Sequence, residues 1–377
     1  MRTRFLFYLL CLAVAWPALA NPRARDLGVP FDGTPGPLNA ITDVTGVTVG
    51  QTTIISGEGK LVVGEGPVRT GVTAIFPRGR DNPAAVFAAW FALNGNGEMT
   101  GTAWLDEAGI LEGPVALTNT HSVGIVRDAI IQWQVKHDHS ADPVWWSLPV
   151  VGETWDGWLN DINGFHVKPE HVFAALDAAK SGPVAEGGVG GGTGMICHEF
   201  KGGIGTASRV TGGYKLGVLV QANYGLRGQL RIAGVPVGQE ITAGAFRPVR
   251  ETGSILVVIA TDAPLLPHQL KRLAKRASLG LARNGSISGD GSGDLFLAFS
   301  TANTVPTDRG KSGAVQLLVT EDLDPLFAAT VQATEEAIVN ALVAAETMTG
   351  RDGHTAVALP HDQLRAVLKK YGRLQEK

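Results

Sequence analysis

The sequence predicts one α+β domain in which helices and sheets are stacked in layers. Three observations carry that expectation. From Asp43 to the C-terminus, short β-rich runs alternate with helical stretches. No internal repeat and no long polar linker divides the chain. Hydrophobic residues make up 44% of the 377 residues and charged residues 18%, which supports a large core and argues against disorder.

Taken in order, the chain opens on a segment of a different kind. Arg2 and Arg4 give a positive start, residues 5–16 are apolar but too short to span a bilayer comfortably, and Ala18-Leu-Ala20 offers a small-x-small cleavage site. Residues 1–20 read as a secretory signal peptide, so the expected location is outside the cytoplasm, in the periplasm. Leu10 stands before Cys11 where a lipobox needs a small residue, which argues against lipidation. Cutting after Ala20 leaves Cys197 as the lone cysteine, so no disulfide within the mature chain is expected. No later run is long and charge-free enough for stable membrane insertion.

The β-rich runs include residues 71–77, 214–222, 254–260 and 295–299. Helices are expected over 267–283, 324–346 and 361–374. Pro267 suits a first helical turn, and Leu270, Leu273, Ala274 and Ala277 then form an apolar face. In the longer stretch Phe327, Val331, Ile338, Val339, Leu342 and Val343 mark a helix laid on a sheet.

The 49 glycines follow no Gly-X-Y period and belong to tight turns and close backbone approaches. They concentrate at 94–97, 187–194 and 285–293. The second stretch is rich enough to cradle a phosphate, but it lacks the Lys-Ser/Thr ending of a P-loop and an acidic residue at dinucleotide spacing. Turns lining a pocket are the better reading. A net charge of −3 with no basic run after the N-terminus argues against nucleic acid.

Metal chemistry finds no framework either. His137 and His139 flank Asp138, and His121, His166, His171 and His198 are scattered without an HExxH or CxxC pattern. Cys197 and His198 are adjacent, so in a strand they point to opposite faces. Surface histidines and a buried cysteine are expected. A GxSxG-like string surrounds Ser292, yet it follows a helix and precedes a strand, the reverse of a nucleophile elbow. Ser292 and Asp294 remain candidates for a polar site at the mouth of that strand.

The most informative local feature is Gly253-Ser254 directly before a continuous apolar run. A break between these two residues would put a hydroxyl and a free α-amine on Ser254. Such an amine, with an ordinary pKa of about 7.7–8.0, can act as a base near neutrality. On the residues alone this stays one option, since Gly-Ser before a strand is common.

Several stretches, in order, extend the argument: Asn94-Gly-Asn-Gly-Glu-Met-Thr-Gly-Thr102, Leu117-Thr-Asn-Thr-His-Ser-Val-Gly124, Gly190-Gly-Gly-Thr-Gly-Met-Ile-Cys197, Gln221-Ala-Asn-Tyr-Gly225, the run from Gly253 to Pro264, and Gly291-Ser-Gly-Asp294. Together they resemble the DmpA (L-aminopeptidase/D-esterase) and β-peptidyl aminopeptidase family of self-processing serine hydrolases. The likeness covers nearly the whole chain after the leader.

The resemblance implies a four-layer αββα sandwich, like N-terminal nucleophile hydrolases in architecture but differently connected. It implies a precursor cut between Gly253 and Ser254 into chains 21–253 and 254–377 that stay together, as a homo-oligomer of cleaved heterodimers. Ser254 becomes the nucleophile, Asn223 helps form the oxyanion hole, and Ser292 and Asp294 accompany the nucleophile. Some members carry Glu where this chain has Asp294. Glu153 is the candidate for holding the substrate's ammonium, with a helix-capping carboxylate as the alternative. Trp155 stands where better-known relatives carry Tyr. A turn-forming role stays open for Asn223.

The implied activity is hydrolysis of the N-terminal aminoacyl residue of peptides, amides or esters through an acyl-enzyme, with no metal or organic cofactor. Two rivals remain. One is an acyltransferase similar to ornithine acetyltransferases, whose threonine nucleophile and cytoplasmic location both differ from this chain. The other is a periplasmic binding protein that uses a glycine-lined pocket without chemistry.

Overall fold

A computed structural model describes residues 21–137, 143–246, 253–306 and 310–376. The leader segment 1–20, together with Asp138 and His139, lies outside the described residues. In chain order the strands are β1 (Thr48–Ser56), β2 (Val68–Phe76), β3 (Val86–Ala92), β4 (Ile110–Leu111), β5 (Val115–Asn119), β6 (Val150–Thr154) and β7 (Ile196–Cys197). They continue as β8 (Phe200–Lys201), β9 (Gly203–Thr211), β10 (Tyr214–Asn223), β11 (Ser254–Thr261), β12 (Leu295–Ser300), β13 (Met348–Thr349) and β14 (Thr355–Ala356). The α-helices are α1 (Thr102–Ala108), α2 (Val123–His137), α3 (Pro169–Asp177), α4 (Val237–Glu240), α5 (Pro267–Arg283), α6 (Asp324–Ala344) and α7 (His361–Lys370).

Alternation of side chains along each strand builds four layers. In β11, Leu256, Val258 and Ala260 join the core between the two main sheets, while Ile255, Val257 and Ile259 face α5 and α6. β12 divides the same way, with Leu295, Leu297 and Phe299 on one side and Phe296 and Ala298 on the other. Across the inner core, Ile75, Val115, Leu117 and Val150 come from the second sheet. Its outer face packs Ala74, Phe76, Ala116 and Val151 against Val126, Ile130 and Trp133 of α2 and Val172 and Leu176 of α3. Strands covered on both faces need apolar residues at every position, which is why β11 and β12 read as unbroken hydrophobic runs.

The sheets run β1-β2-β5-β6 and β4-β3-β12-β11-β10-β9. In the larger one, β11 and β12 pair in parallel and are flanked by antiparallel β10 and β3. The strands that follow the Gly253–Ser254 bond are therefore held between strands that precede it. Among the described residues, no helix is long and apolar enough to cross a membrane.

Three expectations shift. The helix expected over 324–346 ends at Ala344 because Ala345 turns extended, at ψ 137°. The last helix ends at Lys370, before Gly372 at φ 64°, a left-handed value that closes helices. The glycine stretch 187–194 was expected to line a pocket, but its central turn at Gly190–Gly192 is buried between the sheets. A Cβ on Gly191 would lie 2.6 Å from the Leu117 carbonyl oxygen, and one on Gly192 would lie 2.5 Å from the Ile204 nitrogen. Two backbones meet there where no side chain fits.

Candidate active site

Strand register brings the candidate residues together. Asn223, the last residue of β10, is paired directly opposite Ser254, the first of β11. Opposed residues of an antiparallel pair project to the same face, so both side chains point to one side of the sheet. The parallel match of Leu256 with Leu295 then sets Ser292, Gly293 and Asp294 beside Ser254 and Ile255. Antiparallel pairing of Ala92 with Leu295 carries the chain after β3 past the same spot. Four strand ends thus converge on Ser254.

The local hydrogen bonds follow. The Gly293 N–H donates to Ser254 Oγ at 2.9 Å. Ser292 Oγ donates to Asp294 Oδ1 at 2.6 Å, and the Ile255 N–H donates to the same oxygen at 3.2 Å. Asn94 Oδ1 accepts the Asp294 N–H at 2.6 Å, and Asn96 Nδ2 donates to the Gly291 carbonyl at 2.9 Å. Ser292 and Asp294 are fully buried. Burial pushes the Asp294 carboxyl above its ordinary value, with the Ser292 hydroxyl offsetting part of the rise. Ahead of Ser254, a Cβ on Gly253 would lie 2.8 Å from the Asn223 carbonyl carbon and 2.9 Å from Tyr224 Cα, so a side chain there would force the strand ends apart.

The facing sheet supplies the other wall. Glu153 is on β6, and Thr120 follows β5, which pairs with β6 in parallel. Glu153 Oε1 accepts the Glu98 N–H at 2.9 Å, and Oε2 accepts the Thr120 hydroxyl. No salt bridge reaches Glu153 among the described residues. Burial raises its pKa, and the two hydrogen bonds only partly counter that. Asn96, Thr120, Glu153, Trp155, Ser254 and Gly291 line one cavity of about 410 Å³. Trp155 is 40% exposed at its rim.

Two alternatives left open by the sequence close here. Glu153 lies within a strand and caps no helix. Asn223 makes no turn with its side chain: Oδ1 accepts the Ile196 N–H at 2.8 Å, and Nδ2 donates to the Trp155 carbonyl at 2.8 Å. One Nδ2 hydrogen remains beyond that bond. The Cys197-His198 pair is not divided into buried cysteine and surface histidine. Cys197 is buried, but His198, at φ 49°, is buried too, where burial pushes its pKa down to about 4. Neither lines the cavity.

Sequence reasoning missed Thr120, Asn96, Asn94 and the N–H of Gly293 as parts of the site. In the sequence their stretches carry only the family likeness. It also missed Lys201, fully buried, whose Nζ donates to the carbonyls of Gly192, Met195 and Gly202 at 3.2, 2.9 and 2.7 Å. Burial pushes the Lys201 ammonium down to about 7. Three carbonyl acceptors favour the charged form, because a neutral amine has only two N–H groups. Among the described residues no group of three or more His, Cys, Asp or Glu side chains could hold a metal ion.

Comparison with known proteins places this geometry among relatives. The profile of peptidase family S58 matches residues 39–356. A β-peptidyl aminopeptidase from Sphingosinicella microcystinivorans is 57% identical, over 94% of this chain and 93% of the relative. The L-aminopeptidase D-Ala-esterase/amidase of Ochrobactrum anthropi superposes with a TM-score of 0.88 at 51% identity, covering 94% of this chain and 99% of that one. It is described as a prototype for the serine aminopeptidases and a new variant of the Ntn hydrolase fold. A β-aminopeptidase from Burkholderia superposes with a TM-score of 0.86 at 52% identity, covering 93% and 99%.

Proposed function

The chain belongs to peptidase family S58 and is a serine aminopeptidase of the Ntn-hydrolase type, and on that premise we propose that Ser254 is its nucleophile, freed by cleavage of the Gly253–Ser254 bond. The observation that carries this reading is the single cavity that holds the Ser254 hydroxyl at one wall and the buried Glu153 carboxylate at the other. An exopeptidase needs such a pair: a reactive oxygen, and a charge partner for the substrate's free ammonium.

In the proposed reaction, Ser254 Oγ attacks the carbonyl carbon of the N-terminal aminoacyl residue. The α-amine of Ser254, or Ser292 backed by Asp294, takes the hydroxyl proton. Asn223 and neighbouring backbone N–H groups hold the oxyanion. The C–N bond breaks as the leaving amine receives that proton, and water then hydrolyses the acyl-enzyme ester. Two of the relatives are β-aminopeptidases by name, and we extend removal of N-terminal β-aminoacyl residues to this chain.

Processing follows from the same atoms. Attack of Ser254 Oγ on the Gly253 carbonyl carbon breaks the Gly253–Ser254 C–N bond, passes the hydroxyl proton to the released Ser254 amine and leaves an ester, which water hydrolyses to chains 21–253 and 254–377. These should stay associated because β11 and β12 are buried between β10 and β3. Export through the 1–20 leader, and assembly of the cleaved unit into a homo-oligomer, complete the proposal. The exposed Trp104 and Trp146, packed edge to face at 6.4 Å, offer apolar surface for assembly.

The test is Ser254→Ala. The variant should fold, run as one band on a denaturing gel and lose activity by about 10⁴-fold or more. N-terminal sequencing of the unaltered enzyme should show one fragment beginning at Ser254. Cleavage of the variant at this bond, or wild-type activity in it, overturns the assignment. N-acetylated forms of a good substrate should be nearly inert.

A further inference from the structure

We propose that Lys201 is a positioning residue that polarises Asn223 for its work on the oxyanion, acting through the single peptide group that joins Met195 to Ile196. The inference rests on the reading of Asn223 given above. Its basis is a chain of hydrogen bonds in which every link is an amide or an ammonium.

Lys201 Nζ donates to the Met195 carbonyl at 2.9 Å. The N–H of the same peptide, on Ile196, donates to Asn223 Oδ1 at 2.8 Å. The Asn223 amide donates in turn through Nδ2, one hydrogen to the Trp155 carbonyl at 2.8 Å, which leaves the other for the oxyanion of the proposed reaction at the residue paired opposite Ser254. A positive charge at a peptide oxygen draws electron density from its nitrogen, so the N–H becomes a stronger donor. The same effect repeats at the Asn223 amide. Charge at the head of such a chain strengthens each later bond, and the low polarity of the interior preserves the effect.

Lys201 does not line the cavity. It is fully buried, no carboxylate pairs with it among the described salt bridges, and its other bonds go to the carbonyls of Gly192 and Gly202. A purely structural clamp on these three carbonyls could be made by neutral donors. An ammonium adds charge, at the desolvation cost that lowers its pKa. The Met195 carbonyl also accepts the Gly202 N–H at 2.9 Å, so its peptide plane is fixed from two sides.

The experiment compares Lys201→Met, Lys201→Gln and Asn223→Ala, with kcat and KM measured per cleaved molecule on a free-amine substrate. Lys201→Met keeps the side-chain length without charge or donors, and Lys201→Gln keeps N–H donors without charge. Both should lower kcat about five- to tenfold with KM little changed. Lys201→Met combined with Asn223→Ala should be no slower than Asn223→Ala alone. Wild-type kcat in Lys201→Gln, or additive losses in the double variant, overturns the inference. Unchanged kcat in Asn223→Ala would instead remove the oxyanion reading beneath it. A check that needs no folded variant is selective isoleucine ¹⁵N labelling of the unaltered enzyme. The Ile196 amide proton should lie downfield of those of Ile204 and Ile259 in the large sheet, and a position within their range also overturns the inference.

Discussion

Glu336 and Glu153 are both buried glutamates, yet their surroundings are opposite. Glu336, on α6, takes two hydrogen bonds from Arg25 at 2.7 and 2.8 Å, one from Asn39 at 2.6 Å, and an ion pair with Arg209 at 2.7 Å. Burial alone would raise its pKa, but Arg25 and Arg209 outweigh that and hold it below the ordinary value. Glu153 has a hydroxyl, a backbone N–H and a cavity, and its pKa is raised. A buried carboxylate that already has its cations ties the N-terminal segment to the core. One that lacks a cation and faces a cavity is ready for a charge brought by a ligand.

The comparison breaks most visibly at Glu336. Glu336→Gln leaves Arg209 buried and short of a counter-charge, and should cost about 3–5 kcal/mol in urea unfolding. Activity per folded molecule should stay close to wild type. A loss under 1 kcal/mol would deny the structural reading of this cluster.

Glu153→Gln should do the reverse. Stability should change by less than about 1 kcal/mol, while kcat/KM for free-amine substrates falls about 100-fold or more. With the carboxyl raised by burial, the wild-type KM should climb as pH falls, beginning above the ordinary carboxylate range, and the variant should lack that limb. An undiminished preference for free amines in the variant would dissociate Glu153 from ammonium binding.

Asp156 sharpens the contrast at smaller scale. It is fully buried without a cation, held by Asn119 Nδ2 at 3.0 Å and Asn160 Nδ2 at 3.1 Å, and burial pushes its pKa up to about 6 from 3.8. A raised folded-state pKa gives stability that is full below about 3.8 and lost as pH rises through about 6. The loss is at most about 3 kcal/mol. Asp156→Asn should flatten stability across that window, as measured by thermal unfolding at several pH values. An unchanged slope would assign it to another group.

What was legible in the sequence tracks how locally each feature is encoded. β11 and β12 showed as apolar runs because both their faces are covered, and α5 was placed from Pro267 to Arg283 by one amphipathic period and an N-terminal proline. Ser254 and Gly253 stood out because two small residues precede a buried strand. Four layers were expected from likeness alone, since no local pattern states how two sheets face each other. Glu153 could not be told from a helix cap, because the cavity that defines it arises only when β6 meets β11 across the core. Thr120, Asn96 and Lys201 were missed for the same reason. Lys201 is a lone basic residue in a glycine-rich stretch, and its three carbonyl partners become neighbours only after Gly192 to Gly202 folds back on itself.

Under the proposed processing, the interleaving of the large sheet gives the molecule a history. While residues 253 and 254 are joined, β10 and β11 share one chain, and their pairing is an intramolecular event at high effective concentration. A cut before Ser254 turns the same contacts into an association between two polypeptides, with β12 and β11 of one enclosed by β3 and β10 of the other. Separation then requires opening the sheet itself. Once denatured and diluted, the two pieces must find each other by diffusion, a search the precursor never faced. Under the proposed processing, the strand order calls for folding first and cutting second.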